Sequence, residues 1–83
     1  MIGSLSSHEL LLQSLSLRDR SLVTVVALAA MGDDDQLGFY LRLALESGLT
    51  RAQITEAMTH LGFYAGWSKA TSGIAAVSKA VGK

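Results

Sequence analysis

The stretch SLRDRSLVTVVALAAMG, Ser16 to Gly32, decides how the chain is read. Its centre, Leu22 to Met31, is apolar apart from Thr24, a pattern that suits a buried strand as well as a buried helix. A length of about fifteen residues and a high alanine content select the helix. The Ser16 hydroxyl can cap the turn Leu17-Arg18-Asp19, and Gly32 follows as a residue able to take positive φ. Because this helix is apolar on nearly every side, it is expected at the centre of the fold. It is far short of the roughly 20 residues a membrane span needs.

Outward from it, helical punctuation continues in both directions. Asp33, Asp34 and Asp35 suit the positive end of a second helix, whose apolar stripe is Leu37, Leu41, Ala44 and Leu45 and which Gly48 closes. Thr50 with Gln53 forms a capping box and opens a third, with Ile54, Ala57, Met58, Leu61 and Ala65 facing the core. Gly66 ends that helix. Ser68 is expected to cap a last one carrying Ile74, Ala75, Val77 and Val81. Upstream, Ser6 and Glu9 suggest a weak terminal helix over Ser7 to Ser14. The expected class is all-α with about five helices, in one domain spanning residues 1–83.

The chain has 83 residues, of which 49% are hydrophobic and 17% charged, and its mean hydropathy is +0.36. At this size folding buries only about 60–65% of the unfolded surface, so the apolar surplus points to self-association. Seven basic residues balance seven acidic ones, which gives no electrostatic reason to expect nucleic acid or an anionic membrane as partner. Cysteine and proline are absent; with no thiol there is no disulfide, thiolate metal site or thiol nucleophile. The first residues, MIGSLSSHELLL, lack the positive n-region and cleavage pattern of a signal peptide, so the expectation is a soluble cytoplasmic protein.

Glu56, His60 and Tyr64 are spaced four apart on the helix that opens at Thr50, and so form a column beside its apolar stripe. A carboxylate able to orient an imidazole, next to a phenol, suits general acid/base chemistry. The same spacing also describes a boundary histidine flanked by a surface glutamate and a core-edge tyrosine. Tyr40 lies at the edge of the Leu37–Ala44 stripe, either as a packing aromatic or as a polar group of a site. Arg20 can meet a substrate carboxylate in a bidentate pair, or an ion-pair partner such as Asp19 or Glu56. Trp67 follows a helix end, where it can lid a pocket or plug an interface. Asp33–Asp35 could ligate a hard cation, but consecutive side chains on a helix diverge, and no metal is expected. His8 is assigned no role, and no G-x-S-x-G turn marks a nucleophilic serine.

In order along the chain stand R-S-L-V-T from Arg20, an alanine-rich helix, R-x-A-L-x-x-G-L-T from Arg42, and E-x-x-x-H-x-x-x-Y-A-G-W from Glu56. This set, from about Leu15 to Lys79, resembles the carboxymuconolactone decarboxylase family, which includes the alkylhydroperoxidase D-like proteins. The resemblance implies an all-helical fold assembled as homotrimers or trimer-based hexamers, with pockets near subunit contacts. The peroxidase branch carries C-x-x-C-x-x-x-H. Here Asp33 and Gln36 stand at its cysteine positions, Tyr40 at its histidine and Ser21 at its proton-relay glutamate. Without sulfur, thiol–disulfide exchange is excluded.

The decarboxylase branch needs no cysteine, and the resemblance implies 4-carboxymuconolactone or a similar small acidic lactone as substrate. The electrons left by carbon dioxide delocalise into the conjugated carbonyl, so no cofactor is expected. His60 then matches the proton donor, Tyr64 a hydrogen-bonding or pocket-shaping group, and Arg20 a carboxylate binder. Glu56 completes the catalytic set, and Tyr40 and Trp67 the substrate-binding set. Two departures stand out. Tyr40 replaces a histidine these decarboxylases commonly keep, and a phenol does not exchange protons near neutrality as imidazole does; Ser68 replaces a common proline. A non-catalytic oligomeric binding protein that keeps the fold is the alternative, and a metal enzyme using Asp33, Asp35 and His60 the third reading.

Overall fold

The computed structural model describes residues 14–82, and among them there are four helices. The weak helix expected over Ser7–Ser14, with His8, lies outside the described residues apart from Ser14. Helix α1 spans Leu17–Met31, α2 Asp34–Glu46, α3 Arg51–Ala65 and α4 Trp67–Ala80. Every described residue in regular structure is helical, in agreement with the all-α reading.

Three of the predicted caps form with their expected chemistry. The Asp19 amide donates to Ser16 Oγ at 3.0 Å and starts α1. At its other end Gly32 adopts φ 75°. The Gly32 amide donates to Ala29 O at 3.1 Å and the Asp33 amide to Leu28 O at 3.0 Å, the paired bonds of a Schellman ending. In α3 the Gln53 amide donates to Thr50 Oγ1 at 3.0 Å, while the Thr50 amide donates to Gln53 Oε1 at 2.9 Å. This reciprocal pair is the capping box.

The expected cap at Ser68 is corrected. Gly66 holds φ 93° and ψ 155°, a backbone that side chains disfavour, and turns the chain within one residue. Helix α4 therefore begins at Trp67 with Gly66 at its N-cap and no side-chain capping bond, leaving Ser68 in the first turn.

The core is built from the predicted stripes. Leu37, Leu41 and Ala44 of α2, Ile54 and Met58 of α3, Val25 of α1 and Val77 of α4 are all buried. On α4 the stripe is shifted from the expected one: Ala70, Gly73 and Val77 are buried while Ala75 is exposed. A Cβ at Gly73 would stand 2.6 Å from Met58 Sδ, which shows how closely α4 lies on α3. Arg51 Nη2 donates to Ser78 Oγ at 3.3 Å, so the end of α4 lies beside the start of α3 and the two run antiparallel.

Helix α1 packs against all three others, yet it is not enclosed as the sequence suggested. Val25, Leu28 and Ala29 are buried, whereas Val23 and Met31 are 61% and 69% exposed. Three neighbours cover one side of a helix only, and a helix that is apolar all round then shows its remaining side to solvent.

Candidate functional site

Two grooves flank α1, and they divide the candidate residues between them. The first, about 260 Å³, is lined by Leu17, Arg20, Ser21 and Thr24 of α1 and by Tyr40 and Leu43 of α2. Arg20 is its one formally charged lining group. Arg20 is half-buried as a residue, and its Nη1 donates to Leu15 O at 2.8 Å, which ties it to the chain entering α1. The Thr24 hydroxyl donates to Arg20 O at 3.0 Å, so it bonds back along its own helix. Tyr40 is half-buried against the core, with its ring 5.1 Å from Phe39 and nearly perpendicular to it. Ser21 and Tyr40, the positions that resemblance aligns with the peroxidase branch's glutamate and histidine, do share one groove.

The second groove, about 430 Å³, is lined by Leu22, Val23, Val26 and Ala27 of α1 and by Ala57, His60, Leu61 and Tyr64 of α3. Its only titratable groups are His60 and Tyr64; the rest of the wall is aliphatic. The i, i+4 column exists as expected: His60 and Tyr64 rings lie 5.3 Å apart at 65°, an edge-on contact. Phe63 closes on His60 from the next position round the helix, at 5.9 Å. Glu56 is exposed one turn earlier, and no hydrogen bond joins it to His60 among the described residues. What holds the imidazole is aromatic contact.

Trp67 lines neither groove. Its indole packs edge-on to Phe63 at 5.2 Å and covers Gly62, where a Cβ would overlap the ring. The predicted set therefore falls into three places: Arg20 with Tyr40, His60 with Tyr64 and Glu56 one turn below, and Trp67 at the α3–α4 junction. The Arg20 ion pair with Asp19 or Glu56 is not the one formed at this helix start. There Arg18 Nη2 pairs with Asp19 Oδ1 at 3.2 Å.

Asp33 accepts from the Gln36 amide and side chain, as a helix cap should. Asp35 is exposed. No three His, Asp or Glu side chains among the described residues converge as a ligand set, so Asp33, Asp35 and His60 are not brought together. No described helix is long and apolar enough to cross a membrane.

Sequence reasoning missed the walls. Val23, Val26 and Ala27 line the second groove because α1 is left open on one side. A third, polar groove of about 440 Å³ between α2 and α4 has Asp34, Arg42, Ser72 and Lys79 on its rim. The only signal for it was the i, i+4, i+8 spacing of Asp34, Gly38 and Arg42.

Comparison with known proteins agrees with the resemblance. Over 47 residues the chain is 40% identical to a 4-carboxymuconolactone decarboxylase from Acinetobacter baylyi. That match covers 57% of this chain and 35% of the relative, so the chain spans well under two thirds of that protein's length. The sequence pattern of the carboxymuconolactone decarboxylase family matches residues 4–79, nearly the whole chain. The chain belongs to the carboxymuconolactone decarboxylase family.

Proposed function

We propose that the chain decarboxylates 4-carboxymuconolactone or a similar small acidic lactone formed in aromatic-compound breakdown, as a self-assembled homotrimer or trimer-based hexamer. The observation that supports this is the first groove, a small space whose lining brings one cation, Arg20, together with Tyr40, Ser21, Thr24 and two leucines. A guanidinium there binds a carboxylate in a fixed orientation. In a substrate with two acidic groups, Arg20 holds the one that stays on the product. Holding the departing carboxylate would stabilise the ground state and slow the reaction.

The step itself balances within the substrate and one protein acid. The bond from ring carbon to carboxylate breaks, and carbon dioxide leaves. The electron pair enters the conjugated lactone carbonyl as a dienolate. His60 then delivers a proton to carbon, with the Tyr64 ring edge-on to its imidazole. An apolar groove favours loss of charge from the departing group, because desolvation raises the energy of a carboxylate more than that of neutral carbon dioxide.

A non-catalytic oligomeric binder is the second reading. It is favoured by Tyr40 in place of the family histidine and by the absence of a Glu56–His60 bond. The two are separated by incubating the purified protein with 4-carboxymuconolactone and trapping released carbon dioxide. Release above the spontaneous rate supports the decarboxylase. A folded oligomer that binds the lactone and releases none supports the binder.

A further inference from the structure

The groove between α2 and α4 has a volume of about 440 Å³ and takes Asp34, Gly38 and Arg42 from α2 and Ser72 and Lys79 from α4, with alanines between them. It shares no lining residue with the two grooves that flank α1. At about 100° per residue, the line Asp34–Gly38–Arg42 and the pair Tyr40 and Leu43 are centred roughly 170° apart around α2. The groove thus occupies its own side of α2, and its reading does not rest on the decarboxylase proposal.

Its charges are sorted by end. A Cβ on Gly32, just before α2, would stand 2.8 Å from Lys69 Nζ, so the starts of α2 and α4 are neighbours. Arg51, which opens α3 soon after α2 ends, bonds to Ser78 near the end of α4. Helices α2 and α4 therefore run in the same direction. That places Asp34 and Ser72 at one end of the groove and Arg42 and Lys79 at the other, with about 12 Å of helix between Asp34 and Arg42. Among the described residues, the side chains of Asp34, Arg42 and Lys79 form no ion pair or hydrogen bond.

The floor between the ends is opened by a glycine that the fold does not require. Glycine in a helix interior destabilises it relative to alanine. Gly62 and Gly73 have a packing reason, because a Cβ would run into Trp67 and Met58. At Gly38 a Cβ would meet nothing within 4 Å, and φ is not positive. What Gly38 provides is depth. With Ala75, Ala76 and Ala80 on α4, it leaves open apolar space between two charged ends.

We infer that the α2–α4 groove binds a small zwitterion. Arg42 and Lys79 hold its carboxylate, Asp34 and Ser72 hold its ammonium, and a compact apolar spacer lies over Gly38 and the alanines. A guanidinium meets a carboxylate through two parallel hydrogen bonds, and a lysine adds a second point charge. Two cations against one carboxylate also attract a simple anion, so Asp34 is the group that selects for an amine at the far end.

The test titrates 4-(aminomethyl)benzoate calorimetrically into the full chain, with benzoate and benzylamine as its one-ended halves. The zwitterion is expected to bind more tightly than either half. Arg42→Gln should weaken it by about ten- to hundred-fold, the effect of one charge-assisted pair. Asp34→Asn should remove the preference over benzoate. Gly38→Leu, whose side chain enters the open space, should abolish binding while helicity and denaturant midpoint stay at least at the wild-type level, since leucine favours helix. Arg42 is exposed, so its variant keeps the test valid if the leucine disturbs the fold. No heat with the zwitterion, equal affinity for benzoate, or binding untouched by Arg42→Gln would overturn the site. Binding lost in Arg20→Gln instead would place the probe beside α1 and overturn it equally.

Discussion

Arg20 and His60 carry different parts of the proposed chemistry, and their replacement separates those parts. Arg20→Gln removes binding shared by substrate and transition state, so KM rises while kcat changes less; loss of a charge-assisted pair corresponds to about 1.5–3 kcal/mol, or roughly ten- to hundred-fold in KM. Steady-state kinetics check this, and an unchanged KM would remove Arg20 from the binding role. Gly62 tests packing in the same neighbourhood. A Cβ there overlaps the Trp67 indole, so Gly62→Ala must push the ring off α3 at a cost of about 1–3 kcal/mol. Trp67 is the only tryptophan, and its emission should shift red as it moves into water. Unchanged emission and melting would mean that the indole does not rest on Gly62. Of the site, the spacing of His60 and Tyr64 was legible because i, i+4 neighbours meet on any helix. That Arg20 lies on the far side of α1 was not, because periodicity along one helix does not say which neighbour covers which of its sides.

Helix ends were read most reliably where the cap is local. Ser16, Thr50 with Gln53, and Gly32 each act through atoms within a few residues, and each forms as its sequence suggests. Ser68 fails for a local reason too: Gly66 turns the chain first, and the helix has already begun when Ser68 is reached. Thr50→Ala should lower stability by about 1 kcal/mol through loss of the capping bond, and Gly32→Ala by about 1–2 kcal/mol because φ 75° strains any residue with a Cβ. Denaturant midpoints measured at constant slope test both. A neutral Gly32→Ala would show that α1 ends differently in solution. The shift of the buried stripe on α4 to Ala70, Gly73 and Val77 was not legible, because small residues read as weakly apolar until close approach to Met58 selects them.

At the scale of the whole molecule, the apolar surplus of the composition has a place. It lies along the open side of α1 and the aromatic ridge of α3, where Val23, Phe63, Tyr64 and Trp67 are exposed. Apolar surface of this kind marks an interaction site, and the proposed self-association would bury it. The melting temperature should therefore rise with protein concentration by mass action; a melting point independent of concentration, with a monomeric mass, would contradict self-association. Substituting Met58, fully buried where α3 meets α4, by alanine should cost about 2–5 kcal/mol, read as a lower denaturant midpoint. The proposed activity is removal of carbon dioxide from a small acidic lactone with His60 as the acid. Its most direct test is the initial rate of carbon dioxide release from 4-carboxymuconolactone, measured side by side for wild type and His60→Ala at matched mass and helicity. The account predicts turnover by wild type and a fall of at least a hundred-fold in the variant, about the contribution of one general acid. Equal rates in the two proteins, or no release by a folded wild-type oligomer, would contradict it.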